Sequence, residues 1–259
     1  MHPLFLQWGS LTISTYAVCM TAGLILGAWA SLWEARRRHI RSAYVLDAIL
    51  AAVVVGVAAA RLGYALINWV YYQDHLAEIP RLWLGGLSWQ IGLIGGLIGA
   101  WVLARRAPAP LTVLDLMALG LPLAIACGWI GSYLSGTAFG KELYPGDALF
   151  FLAVDVPDWY GQTAPRWPTQ LLGAGLALAL FLALWLTRRL VWPSGLRLWL
   201  FIVFYSLIDL LLGFTRGLDL PVLAGWRADQ CLDAGLLLLG GFQLARLWGR
   251  HRVPANDVK

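Results

Sequence analysis

The feature that most constrains this chain is the recurrence of apolar runs that approach or exceed the ~18–20 residues needed to cross a bilayer. "SAYVLDAILAAVVVGVAAARLGYALIN" is one example. Such runs recur about seven times, near residues 11–33, 45–70, 87–104, 111–134, 169–187, 197–215 and 230–248. Hydrophobic residues make up 60% of the 259 and charged residues only 13%, against about a quarter charged in soluble domains. A soluble core of this size cannot bury that much apolar surface. Barrel strands are short and alternating, and this sequence sustains no such alternation. The reading is an all-α integral membrane protein with seven transmembrane helices in one domain over residues 1–259.

Basic residues fix the expected orientation. Arg36, Arg37, Arg38 and Arg41 follow span 1, and Arg105 and Arg106 follow span 3. Arg188, Arg189 and Arg197 lie between spans 5 and 6, and Arg246, Arg250, Arg252 and Lys259 close the chain. These thirteen stand against six on the other side: Arg61, Arg81, Lys141, Arg166, Arg216 and Arg227. The positive-inside rule then places the N-terminus outside and the C-terminus in the cytoplasm. The expected location is a bacterial plasma (inner) membrane. Span 1 is not expected to be a cleaved signal, because "EARRRHIR" follows it rather than preceding it. The net charge of +5 is explained by these span-end clusters and calls for no nucleic acid. Trp33, Trp69, Trp83, Trp192, Trp226 and Trp248 fall near span ends, where an amphipathic ring suits the headgroup region. Trp129 lies inside span 4.

Cys19, Cys127 and Cys231 have no metal-type spacing and read as small core residues. No metal or other cofactor is expected. Residues 135–168 form a long outer loop between spans 4 and 5, rich in Gly, Pro and Asp. A loop beyond ~12–15 residues is usually functional or disordered. This one is apolar enough to fold as a cap over the bundle mouth, with "LFFLAV" as a possible strand. No internal repeat is visible, which disfavours a transporter built from inverted halves.

Polar groups within spans carry the functional information, because a charge at a helix centre costs roughly 2.5–3.5 kcal/mol on insertion scales. In span 2, Arg61 either snorkels to the interface or faces an anion in an outward cavity, with Gly63 and Tyr64 beside it. In span 6, Asp209 and Arg216 are seven residues apart and share a face. Asp209 reads as a structural partner of Arg61 or Tyr205, or as a site residue. Arg216 reads as an interface anchor or an anion contact. In and after span 4, Pro122 can kink the helix. Gly128, Gly131, Gly136 and Gly140 allow close approach, and Ser132, Tyr133, Ser135 and Thr137 offer hydroxyls. Tight packing and a ligand groove both account for them.

These residues carry a resemblance. "HPLFLQWGSLTISTYA", "ARLGY", "RLWLGGLSW…GLIGG", Asp115, "GWIGSYLSG", "RWPTQL" and "FTRGLD" run in order along nearly the whole chain. Together they resemble the bacterial prolipoprotein diacylglyceryl transferase family. The resemblance implies seven spans with the N-terminus out. It also implies transfer of diacylglyceryl from phosphatidylglycerol to the thiol of a prolipoprotein lipobox cysteine, with loss of glycerol phosphate. The thiol must lose its proton, and the departing phosphate needs positive charge or hydrogen-bond donors. The positions implied as catalytic are Tyr16, Gln90, Asp209 and Arg216. Those implied as substrate-binding are Arg61, Tyr64, Ser88, Gly128, Gly131, Ser132 and Gln170. The expected partners are a phosphatidylglycerol-like phospholipid, prolipoprotein signal segments and the bilayer itself.

The chain departs from the family pattern at several titratable positions. Gln90 stands where the family usually has His, and an amide is no base near neutral pH. Trp129 replaces Arg, Ser132 and Ser135 replace Asn, and Thr137 replaces Glu. Trp167, Leu172 and Gly173 replace His, Tyr and Glu, while Asp209 and Gly213 replace Arg and Glu. His2, His39, His75 and His251 all lie outside the spans. Two readings follow. One is a divergent transferase using Arg61 and Arg216 for phosphate and Asp209 or Tyr16 for the proton. The other is a relative that binds phospholipid or lipoprotein signal segments without turnover. A small transporter or channel is a third, weaker reading.

Overall fold

A computed structural model describes residues 4–8, 11–157, 161–217, 222–223 and 226–252. Helices dominate: α1 (Thr15–Arg37), α2 (Ser42–Ile67), the single turn α3 (Trp69–Tyr72), α4 (Trp89–Ala104), α5 (Pro110–Ser135), α6 (Thr169–Leu186), α7 (Leu196–Gly213) and α8 (Ala228–Arg252). Six are long and apolar enough to cross a membrane, and the shorter apolar α4 makes the seventh expected span. The protein is thus an all-α, multi-pass membrane protein. Short hairpins join β1 (Leu4–Trp8) to β2 (Leu11–Ser14), β3 (Val154–Pro157) to β4 (Thr163–Arg166), and β5 (Val222–Leu223) to β6 (Trp226–Arg227).

Local chemistry sets the ends. The expected first span near residue 11 begins later, because Leu11–Ser14 pairs with Leu4–Trp8 as a hairpin. The Ser14 hydroxyl then accepts from the Ala17 amide at 3.2 Å and opens α1. At its other end His39 takes a left-handed φ of 56°, and the Ile40 amide reaches back to the Ala35 carbonyl. The expected strand at "LFFLAV" is displaced. Phe150–Leu152 is a 3-10 turn, and the strand starts at Val154, where Asp155 is exposed and Val156 is fully buried.

The chain separates into two compact units, Ser31–Met117 and Met1–Ala30 with Ala118–Lys259. Within Ser31–Met117, α2 and α4 are held face to face by small residues. A Cβ on Gly92 would lie 2.9 Å from Ala60 Cβ, one on Gly96 would lie 3.1 Å from the Ala52 carbonyl, and one on Gly99 would lie 2.8 Å from the Ala51 carbonyl. Spacings of three and four put these glycines on one stripe of α4, and close backbone approach is how helices associate in lipid. Within the larger unit, α5 meets α1 in the same manner, with Gly27 over the Gly120 carbonyl and Gly23 over Ala124. There α7 packs against α6 and α8. Leu186, Leu238 and Phe242 remain exposed, as residues bordering lipid chains would.

Candidate functional site

The larger unit holds a buried ionic cluster where α7 ends and α8 begins. Asp209 lies on α7, and Arg216 follows two turns later on the same face. The two form an ion pair, with Arg216 Nη2 donating to Asp209 Oδ1. Arg216 Nη1 donates to Asp229 Oδ2 at 3.1 Å. Asp229 also accepts from Arg227, through Oδ2 from Nη2 at 3.1 Å and through Oδ1 from Nε at 3.2 Å. Asp209 is therefore a partner of Arg216. Arg216 is no plain interface anchor, since its side chain is only 14% exposed. Its Nε is buried with no hydrogen-bond partner. The Gln230 Nε2 is likewise buried and unpartnered, while its Oε1 faces the Arg227 amide at 3.4 Å. An orphaned buried donor costs about 1–3 kcal/mol, so both atoms would gain from an acceptor.

The backbone around Arg216 is fixed from the α5–α6 loop. The Lys141 amide donates to the Thr215 carbonyl at 2.8 Å, and the Gly217 amide donates to Phe139 at 3.0 Å. Thr169 Oγ1 lies 2.9 Å from Thr215 Oγ1. The loop itself is braced by Arg166, whose Nη2 donates to Glu142 at 2.7 Å and whose guanidinium lies over Phe139. Gln170, fully buried, donates from Nε2 to the Thr137 carbonyl at 3.0 Å.

The face of Arg216 is covered by Trp129 of α5, with 5.2 Å from Cζ to the ring centroid. The indole in turn lies flat against α6 at Gly173, where a Cβ would come within 2.5 Å of Cδ2. Trp129 and Gly173 are therefore in contact. The space beside Gly213 is filled by Gln230, whose Cγ would lie 2.8 Å from an added Cβ.

Other expected site residues of this unit lie where α1 meets α5. A Cβ on Gly131 would meet Cys19 Cβ at 2.8 Å and Tyr16 Cα at 3.2 Å, and one on Gly128 would meet Met20 Cε at 2.7 Å. The space beside both glycines is therefore filled by α1. Ser132 is buried, and its carbonyl accepts from the Thr137 amide. Tyr16 is partly exposed at the start of α1.

Ser31–Met117 contains the remaining expected residues. Arg61, 3% exposed, neither snorkels nor holds its guanidinium open. Its Nε donates to the Ile79 carbonyl at 2.8 Å, Nη2 to Glu78 at 2.6 Å, and Nη1 to Gly86 at 3.2 Å and to Gly85. The guanidinium also lies 5.4 Å over Tyr72. Gly85 and Gly86, at φ 78° and 73°, adopt the left-handed backbone that turns their carbonyls toward it. Tyr64 packs on Gly86. The Ser88 amide donates to the Ala60 carbonyl at 3.0 Å and returns the chain to α2. Gln90 is buried in the first turn of α4.

Sequence reading missed Asp229 and Arg227. The available signal was the pair of acids at 229 and 233 at the start of span 7, four apart and hence on one helix face. Both are buried.

A family model described as prolipoprotein diacylglyceryl transferase matches residues 3–246. Three similar proteins are named phosphatidylglycerol–prolipoprotein diacylglyceryl transferase. The one from Cupriavidus metallidurans is 34% identical, covering 97% of this chain and 96% of its own. That from Geobacillus kaustophilus is 31% identical over 91% and 88%. That from Streptococcus mutans is 28% identical over 98% of each.

Proposed function

This chain belongs to the prolipoprotein diacylglyceryl transferase family, and from that premise we propose that it transfers diacylglyceryl from phosphatidylglycerol to the cysteine thiol of a prolipoprotein. The observation that carries the proposal is Arg216. Its guanidinium is held by two carboxylates and an indole, and its buried Nε remains without a partner. A donor fixed in a water-poor site is the kind of group that stabilises charge on a departing phosphate. In the reaction the sulfur bonds to the glyceryl carbon, the carbon–oxygen bond to phosphate breaks, and glycerol phosphate leaves with the electron pair. Arg216 takes the phosphate, with the Gln230 amide as a second donor. Asp209 or Tyr16 handles the thiol proton. Ser132 and Gln170 shape the wall, and the α5–α6 loop is the cap, tied to Thr215 and Gly217 by its backbone. In Ser31–Met117, Arg61 acts by forming the 78–86 turn, alongside Tyr64, Ser88 and Gln90. The site faces the outside of a bacterial inner membrane, with the C-terminus in the cytoplasm.

A second reading, lipid or signal-segment binding without turnover, is favoured by one specific observation. The charge of Arg216 is already met by Asp209 and Asp229, so an anion must compete for it. The test is purified protein with labelled phosphatidylglycerol and a lipobox peptide. Transfer of label to the cysteine, abolished by Arg216→Ala, is the expected result. Co-purifying phospholipid with no transfer would replace the transferase reading with the binding one.

A further inference from the structure

Arg216 is anchored in the plane of its guanidinium by Asp209 and Asp229. Carboxylates alone leave the group free to tilt about that line. The structure closes this freedom on one face with Trp129. Trp129 is 8% exposed, sits deep in α5, and can lie flat only because α6 offers a bare Cα at Gly173. Beside the indole lies Tyr205, which stacks on Phe201 at 5.8 Å. A ring clamped by a glycine behind it and a tyrosine beside it has one orientation, and that orientation sets the height of the cation. We infer that Trp129, seated on Gly173, is a positioning residue for Arg216: it fixes the guanidinium so that its unpartnered Nε keeps one direction toward an incoming phosphate oxygen. The role in substrate binding rests on the function proposed above. The geometry of the clamp does not.

The test separates the two. Protein in detergent is treated with phenylglyoxal, which modifies accessible, mobile guanidinium groups, and labelling of Arg216 is followed by peptide mass spectrometry against the exposed Arg81. Trp129→Ala should raise Arg216 labelling by about three- to thirtyfold, the range that loss of a partly desolvated cation–π contact allows. Trp129→Phe keeps an aromatic face and should stay near wild type. Gly173→Ala forces the indole aside and should raise labelling too. In the double variant Trp129→Ala/Gly173→Ala the second change should add nothing, because residue 173 acts only through the ring. Unchanged labelling in Trp129→Ala, or additive effects in the double variant, overturns the inference. Where the wild type transfers lipid, Trp129→Ala should raise KM for phosphatidylglycerol while leaving KM for the peptide alone; equal changes in both also overturn it. A wild type without turnover defeats the transferase reading only, since the labelling still decides whether the clamp exists.

Discussion

Arg61 in α2 donates to four backbone carbonyls, whereas Arg216 beyond α7 donates to two carboxylates. Both guanidinium groups are sheltered, and each lies over an aromatic ring. The difference lies in what the charge is used for. Carbonyls are dipoles, so Arg61 keeps its formal charge and uses its fork geometry to fold one turn of chain. Carboxylates cancel charge, so Arg216 becomes part of a near-neutral cluster that locks two helices and keeps one donor in reserve. The same residue type is a loop organiser in one region and the centre of an ion-pair cluster in the other.

The largest expected effect breaks the second region. Arg216→Ala leaves Asp209 buried without its cation and should cost about 3–5 kcal/mol, read as a fall in unfolding midpoint in detergent. Arg61→Lys is next. One ammonium cannot reach four carbonyls, so about 2–3 kcal/mol should be lost. Hydrogen exchange should quicken over residues 76–88 while α7 and α8 stay protected. Gly99→Ala follows, because a methyl 2.8 Å from the Ala51 carbonyl forces α2 and α4 apart at about 1–2 kcal/mol. Gly241→Ala, with nothing within 4 Å, is the silent control in the same assay. Asp229→Asn sharpens the comparison with the smallest effect, about 1 kcal/mol, since Arg216 retains Asp209. Equal losses for Asp229→Asn and Arg216→Ala would mean that Asp229, and not Asp209, is the principal partner.

Much of this was legible in the residues. Apolar length alone sets the helices, and the seven-residue spacing of Asp209 and Arg216 puts them on one face. Gly128 and Gly131 read as points of close approach, and both meet α1. What could not be read was which partner each polar group takes. Arg61 meets carbonyls of a turn some twenty residues away, and no pattern of side chains encodes a contact with backbone. The contact of Trp129 with Gly173 joins two helices forty-four residues apart in sequence, where only packing links them. The false strand at "LFFLAV" has the same origin: apolar character without alternation does not fix backbone shape.

The length of α4 has a consequence of its own. Sixteen residues rise about 24 Å, short of the ~30 Å hydrocarbon layer. Any peptide group of the non-helical stretch before it that met oil would need a partner from the protein. By gathering the carbonyls of Glu78, Ile79, Gly85 and Gly86, Arg61 does for this turn what water does for an exposed one. A bilayer a few ångströms thicker would draw this turn further inward and make the protein lean harder on that one side chain, so the damage done by Arg61→Lys should grow with acyl-chain length.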